Sequence, residues 1–259
     1  MERGPLILST LFFLAGFAQS MFALGARMRG VSRWYFLSIL GGFGFQIAWL
    51  AERGEVLRRC PLTSSFDVLV FIAWSMVLFY LVIGPVYRVS LLGLFTAPAA
   101  FILQTVALLM GVPALGEIRP ATSGLLELHA AISVMAYGGL GLAALAGAMY
   151  LLQERQLKTR QLSSFFFSLP PVRDLTAAMR RLLIAGFVLL SAGLGTGIAS
   201  GPAHRPVLRW MSVAMWLLYG AVAFAVGVRK VDPVRVAYAA IGAFIVLLVT
   251  VGLVELALP

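Results

Sequence analysis

The chain has 259 residues, 61% of them apolar and only 12% charged, with a formal net charge of +10. Soluble domains carry about 25% charged and roughly 45–50% apolar residues, so a core folded in water is excluded and the solvent is lipid. The excess of basic residues does not point to nucleic acid: these residues lie at the ends of apolar runs, where they act as topology signals and headgroup contacts.

A helix needs about 20 apolar residues to cross a bilayer. Eight stretches meet this in chain order: residues 6–26, 33–51, 66–87, 90–112, 126–152, 181–200, 207–228 and 235–257. The first has no small-residue cleavage site such as A-x-A and is expected to be a retained span rather than a signal peptide. The pattern predicts an all-α, polytopic integral membrane bundle of about eight transmembrane helices. It forms one transmembrane domain over 1–259, with a connector at 153–180 as the only sizeable region off the membrane. "FFFSLPPV" in that connector suits the headgroup layer, and Asp174 is a candidate N-cap for the sixth span. The segment reads either as a surface connector or as a docking face for a cytoplasmic partner.

Eight crossings place both termini on one side. Arg27, Arg29, Arg33, Arg88, Arg155, Lys158, Arg160, Arg173, Arg180, Arg181, Arg229, Lys230 and Arg235 fall on one side, 13 of the 20 basic residues. Arg3, Arg53, Arg58, Arg59, Arg119, Arg205 and Arg209, the other 7, fall opposite. The positive-inside rule assigns the larger set to the cytoplasm and both termini to the outside of the cytoplasmic membrane.

The chain has two histidines. His129 opens the fifth span and His204 lies between the sixth and seventh, so both belong to the outer side. Imidazole is a common axial ligand of haem iron, and a pair from two segments can hold one haem from both faces. An interfacial imidazole bonded to a neighbouring helix fits the same position, and the residues leave both readings open. Zinc is disfavoured, because it takes three or four ligands and the nearby carboxylates are only Glu117 and Glu127. Cys60 is the sole cysteine, which excludes an intramolecular disulfide and a Cys-x-x-Cys motif. Gly138, Gly139, Gly141 and Gly147, with Gly193, Gly195 and Gly197 of "SAGLGTG", are expected to let helices approach closely. They could also leave room for a flat ligand. Trp49, Trp74, Tyr137, Trp210, Trp216 and Tyr219 fit an aromatic belt or, alternatively, cofactor walls. Asp67 at the start of the third span is explained by the helix dipole. Deep in the spans the polar groups are few, chiefly Gln46, Gln104 and Thr105, which argues against an ion-coupled permease.

Taken in order, these segments resemble the cytochrome c assembly (CcsA-like) family, most closely its shorter HemX/YpjD-type branch. The resemblance is carried by "CPLTSSFDVLVFIAW", by "LELHAAISVMAYGGLGLAALAGAMYLLQERQLK", and by "LPPVRDLTAAMRRLLIAGFVLLSAGLGTG" followed by "HRPVLRWMSVAMWLLYG", over about residues 34–255. It implies haem handling on the outer face, with His129 in the place of the family's first external histidine. The family's tryptophan-rich "WGxxWxWD" loop is replaced by "SGPAHRP", and Gln46 stands where the second span's membrane histidine is expected. No histidine follows "WLLYGAVAFAV". The resemblance therefore implies a non-enzymatic haem-binding or assembly component rather than a complete synthase. Haem is its expected cofactor, and its expected partners are cytochrome c maturation subunits or a cytoplasmic haem-biosynthesis enzyme. His129 is the expected ligand and His204, in the place of the missing loop, the second. Tyr137, Trp210 and Trp216 are the expected walls. The alternative is a non-haem regulatory or scaffold protein, of the kind that relatives controlling glutamyl-tRNA reductase exemplify, acting through 153–180.

Overall fold

The computed structural model describes residues 3–25, 33–86, 92–112, 123–159, 172–201, 206–227 and 231–257. Among these there are eight helices and no strand: α1 (Gly4–Gly25), α2 (Arg33–Leu57), α3 (Ser65–Val86), α4 (Gly93–Met110), α5 (Gly124–Thr159), α6 (Val172–Ala199), α7 (Pro206–Gly227) and α8 (Pro233–Ala257). Seven are long and apolar enough to cross a membrane, and α4 has a shorter apolar stretch, Phe95–Met110.

The contacts fix the direction of each helix. Phe12 and Phe13 of α1 fill the space beside Gly41 and Gly42 of α2, while Gly16 faces Ser38, so these two helices are antiparallel. Gln46 of α2 donates to the Val70 carbonyl of α3, and Phe43 stacks on Trp74, again antiparallel. Next to the α3 N-terminus the backbone N–H of Cys60 donates to Glu127 of α5, and further along Ser75 reaches Val134. Both separations grow in the same sense, so α3 and α5 are parallel and the chain between them must return across the bundle. Helix α4 makes that return. It lies antiparallel along α1, with Ala97 beside Gly16 and Gln104 bonded to Ser9 and Thr10. Its 18 residues extend about 27 Å at 1.5 Å per residue, close to the ~30 Å hydrocarbon thickness.

Antiparallel pairing continues through α5–α6 (Leu140 with Gly186, Ser133 with Gly193), α6–α7 (Ser191 with Trp216, Phe187 with Gly220) and α5–α8 (Gly141 with Phe244, Gly147 with Ala237). The eight helices alternate in direction, with seven reversals, and Gly4 and Ala257 come to the same end of the bundle. Leu6, Trp49, Phe66, Leu69, Val70 and Ala107 form an apolar cluster at that end.

Helix α5 is the central element. It packs against α3, α6 and α8 and carries a run of small buried residues from Gly138 to Gly147. In lipid, close packing replaces the hydrophobic effect, and small residues permit it. A Cβ on Gly138 would stand 2.8 Å from the Met76 backbone nitrogen, and one on Gly186 would stand 2.7 Å from Leu140.

The helix ends depart from the apolar windows where polar residues continue a helix into the headgroup layer. Helix α5 runs on to Thr159, supported by a 2.5 Å Glu154–Lys158 pair one turn apart. Helix α6 begins at Val172, so Asp174 occupies its first turn rather than the capping position. Of the expected connector 153–180, residues 153–159 and 172–180 are therefore helical, and 160–171 lie outside the described residues.

Candidate functional site

The end of the bundle shared by Gly4 and Ala257 gathers most of its chemistry where α2, α3, α5 and α6 meet. Helix α2 closes there with the backbone N–H of Arg59 donating to Gly54 and that of Arg58 to Glu55. This paired pattern normally uses glycine in the left-handed region, but Arg58 occupies it at φ 51°. The chain then turns through Cys60–Ser64 into α3. The Ser64 hydroxyl accepts from the Asp67 backbone N–H at 3.2 Å, and the Asp67 carboxylate accepts from the Thr63 backbone N–H and hydroxyl at 3.2 and 2.7 Å. The result resembles a capping box shifted by one residue.

The helix dipole accounts for only part of Asp67. The Arg53 Nε donates to its Oδ1 at 3.1 Å and Nη2 to its Oδ2 at 3.4 Å, with both side chains fully buried. The Arg53 guanidinium also lies 5.9 Å from the Trp49 ring centroid, within range of a cation–π interaction. Arg53 is thus not a loop charge exposed at the interface. Burying two ions is favourable only with good geometry and additional hydrogen bonds, and Thr63 supplies them.

The same turn reaches α5. The Cys60 backbone N–H donates to Glu127 Oε2 at 3.2 Å. Burial first, then the carboxylates of Glu127 and Asp67, push the Cys60 thiol above its ordinary range.

His129 lies two residues further along α5, half-buried. Its Nδ1 is 2.6 Å from the Gly193 carbonyl oxygen of α6. A carbonyl can only accept, so Nδ1 carries the proton and donates it. That leaves Nε2 unprotonated in the neutral ring, with its lone pair unused by this bond. The seat is cut by glycine: a Cβ on Gly197 would stand 2.6 Å from the imidazole Nδ1, and one on Gly193 would stand 2.5 Å from the Ser133 hydroxyl. Thr196 Oγ1 donates to the same Gly193 carbonyl at 2.7 Å. Of the three glycines in "SAGLGTG", Gly193 and Gly197 therefore serve His129, while Gly195 has nothing within 4 Å.

The expected aromatic walls separate. Trp210, in the first turns of α7, is 69% exposed. Trp216 is tied into the α6–α7 contact: its Nε1 donates to the Ser191 hydroxyl at 2.8 Å and its ring lies 5.5 Å from Phe187. Tyr137 is half-buried, two turns along α5 from His129, within electrostatic reach of Tyr219 on α7. The Tyr219 hydroxyl is buried with no hydrogen-bond partner among the described residues. His204 lies outside the described residues. No group of three or more potential metal ligands occurs among those that are described. Gln46, in the place of a membrane histidine, is fully buried and donates to Val70.

The sequence of residues 62–258 matches the model of the cytochrome c assembly protein family. The chain belongs to that family. Among its relatives are two proteins called HemX. That of Brevibacillus brevis is 26% identical over 194 residues, covering 74% of this chain and 69% of the relative. That of Bacillus subtilis is 25% identical over 208 residues, covering 78% and 72%. The chain is also similar to a 28.8 kDa protein of Azospirillum brasilense encoded in a nifR3-like 5' region, at 29% identity over 171 residues, 66% of this chain and 62% of that one. Membership gives this bundle a haem-related role in the membrane. The matched region begins at Leu62 and contains Asp67, His129 and the whole α5–α6 seat.

Proposed function

We propose that the chain is a non-enzymatic haem-handling component of cytochrome c biogenesis, seated in the cytoplasmic membrane with both termini outside. It holds haem near the outer face through His129. The observation that carries this reading is the hydrogen bond from His129 Nδ1–H to the Gly193 carbonyl. Metal-ligating histidines almost always donate their other ring N–H to a carboxylate or backbone carbonyl, which fixes the tautomer and ring orientation. Here that partner is a carbonyl of another helix, and it leaves Nε2 as the donor atom for iron.

Haem, when bound, would supply an iron for which the imidazole nitrogen of His129 would be a ligand. The chain's own residues do the rest. Gly193 holds the tautomer and Gly197 leaves room for the ring, while Trp210, exposed on α7, would be free to cover a ligand. Trp216 is engaged in the α6–α7 contact and braces α7 against the helix that seats His129. His204 would be the candidate second ligand. With Arg53 withdrawn into its ion pair, the basic residues divide 13 to 6 rather than 13 to 7, which sharpens the bias that puts His129 outside.

The test is genetic and biochemical together. Deleting the gene in its host should lower haem-stained c-type cytochromes. The wild-type chain should restore them, and His129→Ala should not, at equal membrane levels by immunoblot. Unchanged c-type cytochromes in the deletion strain would overturn the assignment to their biogenesis. Full restoration by His129→Ala would overturn the role of this residue.

A further inference from the structure

At the opposite end of α5 is a feature that the haem reading does not use. Helices α5 and α8 touch at Gly147 and Ala237, where a Cβ on the glycine would stand 3.3 Å from the Ala237 backbone. Beside that crossing a cleft of about 590 Å³ opens between them. Its floor is apolar, formed by Ala148, Leu151 and Ile241 with Tyr238 at their level, and its lip carries Glu154, Arg155 and Lys158, a net charge of one positive. Lys158 is paired with Glu154, whereas Arg155 has no acidic partner among the described residues. Tyr238 is 64% exposed.

The polarity of this cleft runs along the membrane normal. Arg155 stands 26 residues beyond His129 on one continuous helix (155 minus 129), about 39 Å at 1.5 Å per residue. A bilayer with its headgroups is about 40–45 Å thick. With His129 at one headgroup layer, Arg155 falls in the other, and Ala148 and Leu151 fall one to two turns deeper, among the acyl chains.

We propose that this cleft is a binding site for one anionic phospholipid. The phosphate is held by Arg155, and the upper acyl chain lies along Ala148, Leu151 and Ile241. An arginine fork matches phosphate oxygens in a way an isolated ammonium does not, and basic pockets between transmembrane helices are sites of this kind. The cleft is open to the surrounding lipid, so it seats the phosphate and one stretch of acyl chain rather than enclosing the whole molecule. The charge decides the occupant: a zwitterionic lipid would set its own cation against Arg155, and an apolar helix from a partner would bury Arg155 without a counter-ion.

The test is lipid retention by the intact protein. The chain is reconstituted in nanodiscs of equal phosphatidylglycerol and phosphatidylcholine, released into detergent, and weighed by native mass spectrometry. Wild type should retain one phosphatidylglycerol in several-fold preference to phosphatidylcholine. Arg155→Gln, which removes the charge, and Ala148→Phe, which fills the floor and leaves every charge in place, should each lower that retention at least fivefold. Arg173→Gln, at the exposed start of α6 on the same side, should not. Equal losses in Arg155→Gln and Arg173→Gln would reduce the effect to general surface charge and overturn the proposal. Unaltered retention in Ala148→Phe would overturn the cleft as the place of binding. Displacement of the lipid by millimolar inorganic phosphate would show an anion site with no role for the acyl chain, and would overturn it as well. Helicity and monodispersity of each variant establish that it is folded.

Discussion

Asp67 receives Arg53 on one side and the backbone and hydroxyl of Thr63 on the other, in a place closed to solvent. Removing one partner of such a pair leaves a buried, uncompensated charge, at about 3–5 kcal/mol. Asp67→Asn and Arg53→Met should each lower the thermal midpoint in detergent sharply. The double variant Arg53→Met with Asp67→Leu should recover most of the loss, because well-packed apolar replacements of a buried ion pair are often neutral. A double variant as damaged as the singles would contradict this account. Cys60 provides a second test. A thiol raised by burial and two carboxylates holds little thiolate near neutral pH, so maleimide labelling should be slow at pH 7.5. The rate should go on rising at pH values where an ordinary thiol has levelled off, and Glu127→Gln should move that rise to lower pH. A rate–pH profile matching a free thiol would rule this out. At this scale the sequence was only half legible. The position of Asp67 at a helix start is visible in "CPLTSSFD", but its pairing is not. The ion pair bridges 14 residues, across a turn in which α2 closes with Arg58 in the left-handed region. Nothing local in the sequence signals that conformation.

Helix α5 packs through its glycines. Its glycines were recognisable as packing residues, because small residues grouped within an apolar run have little other use in lipid. What each one admits was not recognisable, since that depends on which helix comes alongside. Gly138 admits α3, Gly141 admits Phe244, Gly147 admits α8, and across the α5–α6 contact Gly197 admits His129. Gly138→Ala should push α3 from α5, because the Met76 backbone cannot yield as a flexible side chain would, with a loss of about 1–3 kcal/mol. Gly195→Ala should leave stability unchanged or raise it by up to about 1 kcal/mol, since it meets nothing and alanine is the better helix former. Comparing the two thermal midpoints checks this, and equal effects would refute it. The helix boundaries followed the same division. The apolar windows found every span, but they stopped at the first charges, and α2, α5 and α6 continue beyond them into water-accessible layers where hydropathy carries no signal.

For the whole molecule, the number of helices and their order could be read from hydropathy and length, since only helices and closed barrels satisfy the backbone in lipid and these apolar runs are too long for barrel strands. The parallel course of α3 and α5 then requires α4 to cross, although its apolar stretch is the shortest. The chemistry was legible only in outline. His129 was conspicuous as one of two histidines, and the family resemblance gave it a role. The features that suit it to that role come from α6: the Gly193 carbonyl and the space at Gly197, 64 and 68 residues away (193 minus 129 and 197 minus 129).

The central claim is that His129 offers Nε2 to haem iron while Nδ1–H is held by Gly193. It is tested most directly by the visible spectrum of the purified protein supplied with haem, wild type against His129→Gly, with and without free imidazole. Wild type should show a Soret band and a sharp α-band on reduction. His129→Gly should lose them, and tens of millimolar imidazole should restore them by occupying the vacated seat. A His129→Gly variant with the wild-type spectrum would contradict the claim. So would one that folds normally yet stays colourless at every imidazole concentration.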